Sequence, residues 1–481
     1  MNLKALKNKY IFLINHADET SPSLIMLAKE YGKSAACFLF ESKLAYDKYH
    51  ADTEGYEYFV IADSRIFEKN SSQTPNKIVF SRKIIFPEID RIHWWFGNLG
   101  FFFKFFKRQF WYLESNFNIY LLAALKGIQK LGKGCNIYIL YEPPSTALNN
   151  YLFSYSNELN LNCIGLRSAR AANRMEIHAT FQDFYENVKA FYELSIRSDY
   201  EFSHDALKYA RSIGRSAPNY FVLNNSRKKG VFDQLIKLFN YRDLLKRLPS
   251  LDRENLKTYQ AGNFLITSLG WWLNNLINRS NALRLNTFLA RKKYKKKSNG
   301  FYIFPLHYHP EASTSVEAFG YSDDICFIEA LRNSIPANHD LVVREHPNAI
   351  GIRPKKFYKK IMELPDVYLD AASGIYDLVK ESNGVITLGG TLGFEAAVLG
   401  VHAYTFVRSF YCLSNNVFYV ANIADLSDRI IDTYNIKAKP DLEIACAYFD
   451  ACLQGDIFTN PSASSIDELK KSLDRYLITC T

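Results

Sequence analysis

At 481 residues the chain exceeds a single ordinary core, so it is expected to divide into at least two domains. Apolar residues make up 48% and charged residues 22%, a balance that excludes an intrinsically disordered chain. The formal charge of +10 predicts a surface that tolerates anionic partners, without choosing among nucleotides, phosphoglycans, anionic lipid and nucleic acid.

In chain order, a basic start leads into a short apolar run that meets the polar stretch His16-Ala-Asp-Glu-Thr-Ser21 instead of a small-residue cleavage site. This reads as the first strand of a sheet and predicts a cytoplasmic protein. Strands are expected at Tyr10–Asn15, this first one, and at Ala36–Phe40, Tyr58–Ala62, Lys77–Phe80, Asn136–Leu140 and Asn162–Leu166, between helical patterns, which predicts a mostly parallel sheet within residues 1–180. Residues 181–298 read as a mainly helical addition that ends in the charged run beginning Arg291-Lys-Lys-Tyr-Lys. From 299 to 422 the alternation is cleaner, with strands expected at Phe301–Pro305, Leu341–Glu345, Val367–Leu369, Gly384–Leu388 and Ala403–Val407. That is a second Rossmann-like domain of successive βαβ units, followed by helices over 423–481. The eight cysteines show neither a CxxC pair nor zinc spacing, so reduced thiols are expected.

Ligands of an open parallel sheet bind beyond the carboxyl ends of its strands. Three such ends stand out in the second domain. Gly389-Gly-Thr-Leu-Gly-Phe-Glu395 joins a strand to a helix; its glycines let backbone approach an anion, Thr391 offers a hydroxyl, and Glu395 suits ribose hydroxyls. A plain strand-to-helix turn capped by Thr391 is the structural alternative. Arg344-Glu-His-Pro-Asn348 closes another strand; His346 suits a phosphate oxygen or a leaving group, and Pro347 fixes the turn. The third end, Phe304-Pro-Leu-His-Tyr-His-Pro-Glu-Ala-Ser-Thr-Ser315, gathers His307, His309, Glu311 and three hydroxyls. The two histidines lack a third ligand of diagnostic spacing, so no metal is expected. In the first domain Glu142, directly after a strand, is a candidate facing the same kind of edge; Asp18, Glu19, Arg167, Arg170 and Arg174 are weaker ones.

FPLHYHPEAST, REHPN and GVITLGGTLGFEAAVLG together resemble the bacterial capsule polysaccharide biosynthesis family, which contains the retaining β-Kdo transferases. The resemblance spans about Phe301–Phe406, with echoes at Leu140–Pro144 and Gly165–Arg174. It implies a GT-B fold, two Rossmann-like domains facing across a cleft, with the first on the acceptor side and the second binding a CMP-sugar. It further implies that His346 and Thr391 hold the CMP phosphate, with Arg344, Pro347, Gly389, Gly390 and His309 around the nucleotide and Glu395 near the ribose. Glu311 is then the expected catalytic nucleophile and Glu142 its reserve. Two positions depart from the family pattern: His309 stands where Gln is usual, and Gly389 where Ser or Thr is common. No cofactor is implied, since the CMP-sugar is a co-substrate.

The expected activity is transfer of Kdo or a related acidic sugar to a glycan or glycolipid acceptor in capsule or lipopolysaccharide synthesis. A transferase using UDP- or GDP-sugars and a non-catalytic polysaccharide-synthesis scaffold are the rivals. Aromatic and basic residues mix over 94–112 and 264–277, without the roughly 20 apolar residues of a spanning helix. Such a mixture fits core-facing aromatics flanked by solvated lysines, and it equally fits peripheral contact with the anionic inner face of the cytoplasmic membrane. No RRM, KH or zinc module points to nucleic acid.

Overall fold

The computed structural model describes residues 7–15, 20–62, 121–132, 135–141, 147–178, 185–197, 200–215, 300–308, 323–346, 353–459 and 461–480, with shorter pieces between 277 and 295 and at 317–318, 321 and 349–350. The predicted strand Lys77–Phe80 and the aromatic segment 94–112 lie outside these residues.

Apolar runs without polar alternation demand cover on both faces of a sheet. In β1 (Lys7–Ile14), Tyr10, Phe12 and Ile14 enter one core while Ile11 and Leu13 enter another. The chain continues through α1 (Ser21–Tyr31), β2 (Ala36–Ser42), α2 (Lys43–Tyr49) and β3 (Glu57–Ala62). After a helical stretch at 121–131 come β4 (Cys135–Tyr141), α3 (Ala147–Glu158), β5 (Asn162–Ser168) and β6 (Arg174–Ile177). Strands β3-β2-β1-β4-β5 run parallel in that order, and β6 joins β5 antiparallel.

The second unit begins with α4 (Glu186–Ile196) and α5 (His204–Ser212). Its sheet follows as β7 (Gly300–Pro305), α6 (Asp324–Ser334), β8 (His339–Arg344), α7 (Lys355–Glu363), β9 (Val367–Asp370), α8 (Ile375–Glu381), β10 (Gly384–Thr387), α9 (Thr391–Leu399), β11 (Ala403–Thr405) and β12 (Val417–Tyr419). Helices α10 (Leu426–Thr433) and α11 (Leu442–Ala451) complete it. The strand order β12-β11-β10-β7-β8-β9 is entirely parallel. This is the doubly wound order with its reversal between β7 and β10.

The last residues return to the first unit. Strand β13 (Leu453–Gln454) pairs antiparallel with β6, and α12 (Ala463–Cys480) lays Ile466, Leu469, Leu473 and Leu477 into the core that holds Phe12 and Phe38. Residues 452–481 therefore leave the separate group expected over 423–481, because that apolar stripe needs a sheet face to cover. Likewise α4 and α5, expected within a separate region 181–298, belong to the second unit: Tyr192 donates to Asp441 (2.9 Å), just before α11, and Tyr200 to Asp450 (3.1 Å), within it. The chain thus holds two Rossmann-like α/β units.

Gly455 links β13 to α12 at φ +93°, and a Cβ there would run into the Ser465 carbonyl and the Leu469 amide. Gly455→Ala should lower stability by about 2 kcal/mol or more through strain and steric overlap. Urea unfolding followed by circular dichroism measures this, with Gly32→Ala, where nothing stands within 4 Å, as the strain-only control.

Candidate functional site

At the reversal point of the second sheet, a histidine joins two strand ends. The Leu388 N–H donates to Nε2 of His307 (3.2 Å), and the Thr387 hydroxyl lies 3.4 Å from the same nitrogen. A backbone N–H only donates, so Nε2 accepts and the ring proton sits on Nδ1. One of the two nitrogens a metal would use is thereby occupied. Among the described residues no group of three His, Cys, Asp or Glu side chains is arranged to hold an ion.

The glycine loop is shaped around this contact. A Cβ on Gly390 would stand 3.0 Å from both His307 Cε1 and Thr387 Oγ1. Gly389 has φ +133°, a backbone that a side chain strains, and a Cβ there would meet Val407 at 3.1 Å. This accounts for glycine where the resembled family favours Ser or Thr. The amides of Gly390 and Gly389 turn back onto Thr387 Oγ1, at 2.9 and 3.4 Å. These two glycine amides are thus engaged within the loop. Gly390 is the N-cap of α9 and supplies no side-chain cap, so Thr391 is the first helical residue rather than the cap. The unpaired amides of a helix's first turn start there. Glu395, one turn on, is buried and accepts from the Tyr376 hydroxyl at 3.2 Å.

Arg353 is the residue the sequence did not single out. Its guanidinium, 1% exposed, reaches Asp324 Oδ2 (3.0 and 3.1 Å), Glu345 Oε1 (3.1 Å) and the His307 carbonyl (2.6 Å). It ties the start of α6, the end of β8 and the loop after β7 to one charge. Burial holds the Glu345 carboxyl above its ordinary range, although Arg353 pulls the other way. Arg353 precedes Pro354, the N-cap of α7, and the only sequence signal was an arginine beside a helix start.

His346 accompanies this cluster. Its backbone N–H donates to Glu345 Oε1 (2.7 Å), and its ring centroid lies 5.9 Å from that of Tyr308. Burial, reinforced by the Arg353 charge, lowers its pKa from 6.5 to about 4, so the imidazole is neutral at physiological pH. His346 follows β8 and Thr391 follows β10, with β7 between them, a separation of roughly 10 Å at two strand spacings. Arg344, a candidate nucleotide contact, is engaged by Asp370, its register partner on β9. Burial alone would raise Asp370, but Ser373, the Tyr294 amide and Arg344 together hold it low.

Glu311, His309, Pro347, Glu142, Asp18 and Glu19 lie outside the described residues. In the first unit Arg170 pairs with buried Glu176 (2.9 Å). Burial would raise Glu176, and His178, Arg170 and Arg167 overcome it.

No family model matches the chain, and no curated protein does. Among solved structures it is similar to the β-Kdo 2,7-transferase of KpsC from Thermosulfurimonas dismutans, at 12% identity over 73% of this chain and 89% of that one, with a TM-score of 0.33. The β-Kdo 2,4-transferase of the same protein gives 14% over 70% and 88%, at 0.34. The UDP-GlcNAc 2-epimerase of Neisseria meningitidis, bound to UDP-GlcNAc, gives 10% over 98% and 100%, at 0.26. These values are too low to transfer an arrangement or an activity, and the chemistry of the site has to stand by itself.

The unfolded chain protonates His346 near pH 6.5 while the folded chain resists until about 4. The stability this residue contributes is full above 6.5 and is lost as pH falls towards 4. Glu345, raised, acts in the opposite sense, so a variant is needed to isolate the histidine. His346→Gln should lose about 1 kcal/mol less stability than the parent between neutral pH and pH 5. Chemical denaturation at the two pH values checks it.

Proposed function

We propose that the chain is a glycosyltransferase whose second unit holds a nucleotide-activated sugar at the carboxyl ends of β7, β8 and β10, with CMP-Kdo or a related CMP-activated acidic sugar as donor. The observation that carries this reading is the strand reversal between β7 and β10, where His307 joins both loops and α9 opens without a side-chain cap.

The charge of the site favours a monophosphate link. The loops at 306–322, 345–352 and 388–391 contain no Lys or Arg. Arg353 is neutralised by two carboxylates, Arg344 is paired with Asp370, and His346 is neutral. What remains is the amides of Thr391 and Leu392, the Thr391 hydroxyl and neutral imidazole, since the Gly393 amide already donates to the Gly390 carbonyl (3.1 Å). Such donors suit the single charge of a CMP-sugar better than the two of a UDP- or GDP-sugar.

In the retaining course, the Glu311 carboxylate attacks the anomeric carbon as CMP departs with the bonding electron pair. The acceptor hydroxyl then displaces the carboxylate, losing its proton and restoring Glu311. Glu142 is the reserve for this role, and the acceptor is a glycan or glycolipid.

Titration calorimetry with CMP, UDP and GDP tests the nucleotide. CMP should bind tightest; preference for UDP or GDP would replace this donor with a diphosphate sugar, and no heat with any of them would leave a non-catalytic scaffold. His346→Ala should weaken CMP by about 0.5–1.5 kcal/mol, the worth of a neutral hydrogen bond. That loss should be the same from pH 6 to pH 8. Glu311→Gln should retain CMP affinity while turnover falls by about 10³-fold or more. Near-normal turnover would move the nucleophile elsewhere.

A further inference from the structure

The charged run that reads in sequence as a connection is built into the second unit. The Lys292 carbonyl accepts from the Ala371 amide (2.8 Å), and the Tyr294 amide donates to Asp370 (2.8 Å). The buried Tyr294 hydroxyl donates to Asp340 at 2.6 Å. Tyr294 is thus fixed inward, while Arg291, Lys293 and Lys295 are exposed and Lys292 is half-buried.

Helix α7 presents a second set. Its sequence, KKFYKKIME, places Lys355, Lys356, Lys359 and Lys360 on an exposed stripe, while Tyr358 and Ile361 are buried behind them. Leu285, Leu289 and Tyr358 share one small core that Phe288 and Phe357 pack against. That core seats the residues leading to Arg291 beside α7. The ring of Phe288 joins the two sets directly, with the Lys292 ammonium 4.9 Å from its centroid and that of Lys355 5.3 Å away. The result is one face with eight basic groups. Among the described residues none of the eight forms an ion pair with a carboxylate, and α7 itself carries only Glu363 against them.

We propose that this face, Arg291–Lys295 with the lysine stripe of α7, docks the protein onto an anionic lipid bilayer. Clusters of four to eight Lys and Arg beside one another suit diffuse attraction to acidic headgroups. Seven of the eight are lysines, compact hydrated charges that favour such attraction over the forked, directional pairing of arginine. Lysine is depleted in protein interfaces, which disfavours a protein partner. Single-strand binders add stacking aromatic rings to their charge, and no exposed large apolar side chain lies between residues 285 and 363 among those described. Phe288 is itself overlaid by Lys292 and Lys355. The attraction is therefore electrostatic, and salt that shrinks the screening length from about 8 Å to about 3 Å should abolish it.

This inference is independent of the nucleotide reading, because none of these residues lies in the loops assigned to the donor. Co-sedimentation of the full chain with vesicles tests it. Binding should appear on vesicles of equal parts phosphatidylcholine and phosphatidylglycerol, be absent on phosphatidylcholine alone, and disappear in 1 M salt. Combining Lys355→Glu, Lys356→Glu, Lys359→Glu and Lys360→Glu should weaken it at least tenfold. The four Lys→Gln changes provide a neutral version should the acidic one fail to fold, and should weaken binding in the same direction. Absence of binding to the acidic vesicles would overturn the proposal, as would undiminished binding by a folded variant. Tighter retention on single-stranded DNA or on an acidic polysaccharide than on the vesicles would overturn it in favour of that polyanion.

Discussion

The buried guanidinium of Arg353 is the constraint on which the carboxyl edge of the second sheet depends. Burying a cation is unfavourable by several kcal/mol unless its donors are met, and here two carboxylates and a backbone carbonyl meet them. Each partner comes from a different element, so satisfying one charge fixes three pieces of chain. The carbonyl belongs to His307, whose ring in turn receives the Leu388 amide. The order at β8 is thereby carried across β7 to the glycine loop after β10, although these strands are not neighbours.

That network also sets the electrical character of the edge. Arg353 sits against two carboxylates, and His346 is kept uncharged by burial and by the guanidinium beside it. The loops around the strand reversal therefore work with dipoles and neutral donors, while formal positive charge is collected on the separate face formed by Arg291–Lys295 and α7. Fixed amides at a helix start act at short range and with direction, whereas mobile ammonium groups act at longer range and without it.

Both sheets were legible in the sequence because their signal is local. A strand buried on both faces writes itself as a continuous apolar run, as in Tyr10–Ile14 or Phe301–Phe304, and the turn residues between runs mark the connections. Strand β6 and the edge strands β12 and β13, of two to four residues, were missed. At the site, the strand ends at His346 and Thr391 were readable because position in a βαβ unit predicts which edge a loop occupies. The protonation of His346, the turning of Gly389 and Gly390 onto Thr387, and the centrality of Arg353 were not readable. Each depends on partners, from 2 to 46 residues away, that folding sets against them. The assignment of residues 452–481 failed for the same reason: an amphipathic helix states that it needs a partner face but not which one.

That last assignment has a consequence for how the protein is made. The core face bearing Tyr10, Phe12 and Phe38 is closed by Ile466, Leu469, Leu473 and Leu477, which leave the ribosome only after the whole second unit. The first sheet is therefore translated early, yet on one side only α1 and α2 cover it while the whole second unit is synthesised. Throughout that interval its aromatic surface is open to self-association or to chaperones. A nascent chain arrested between α11 and α12 would release a finished second unit joined to an unfinished first one.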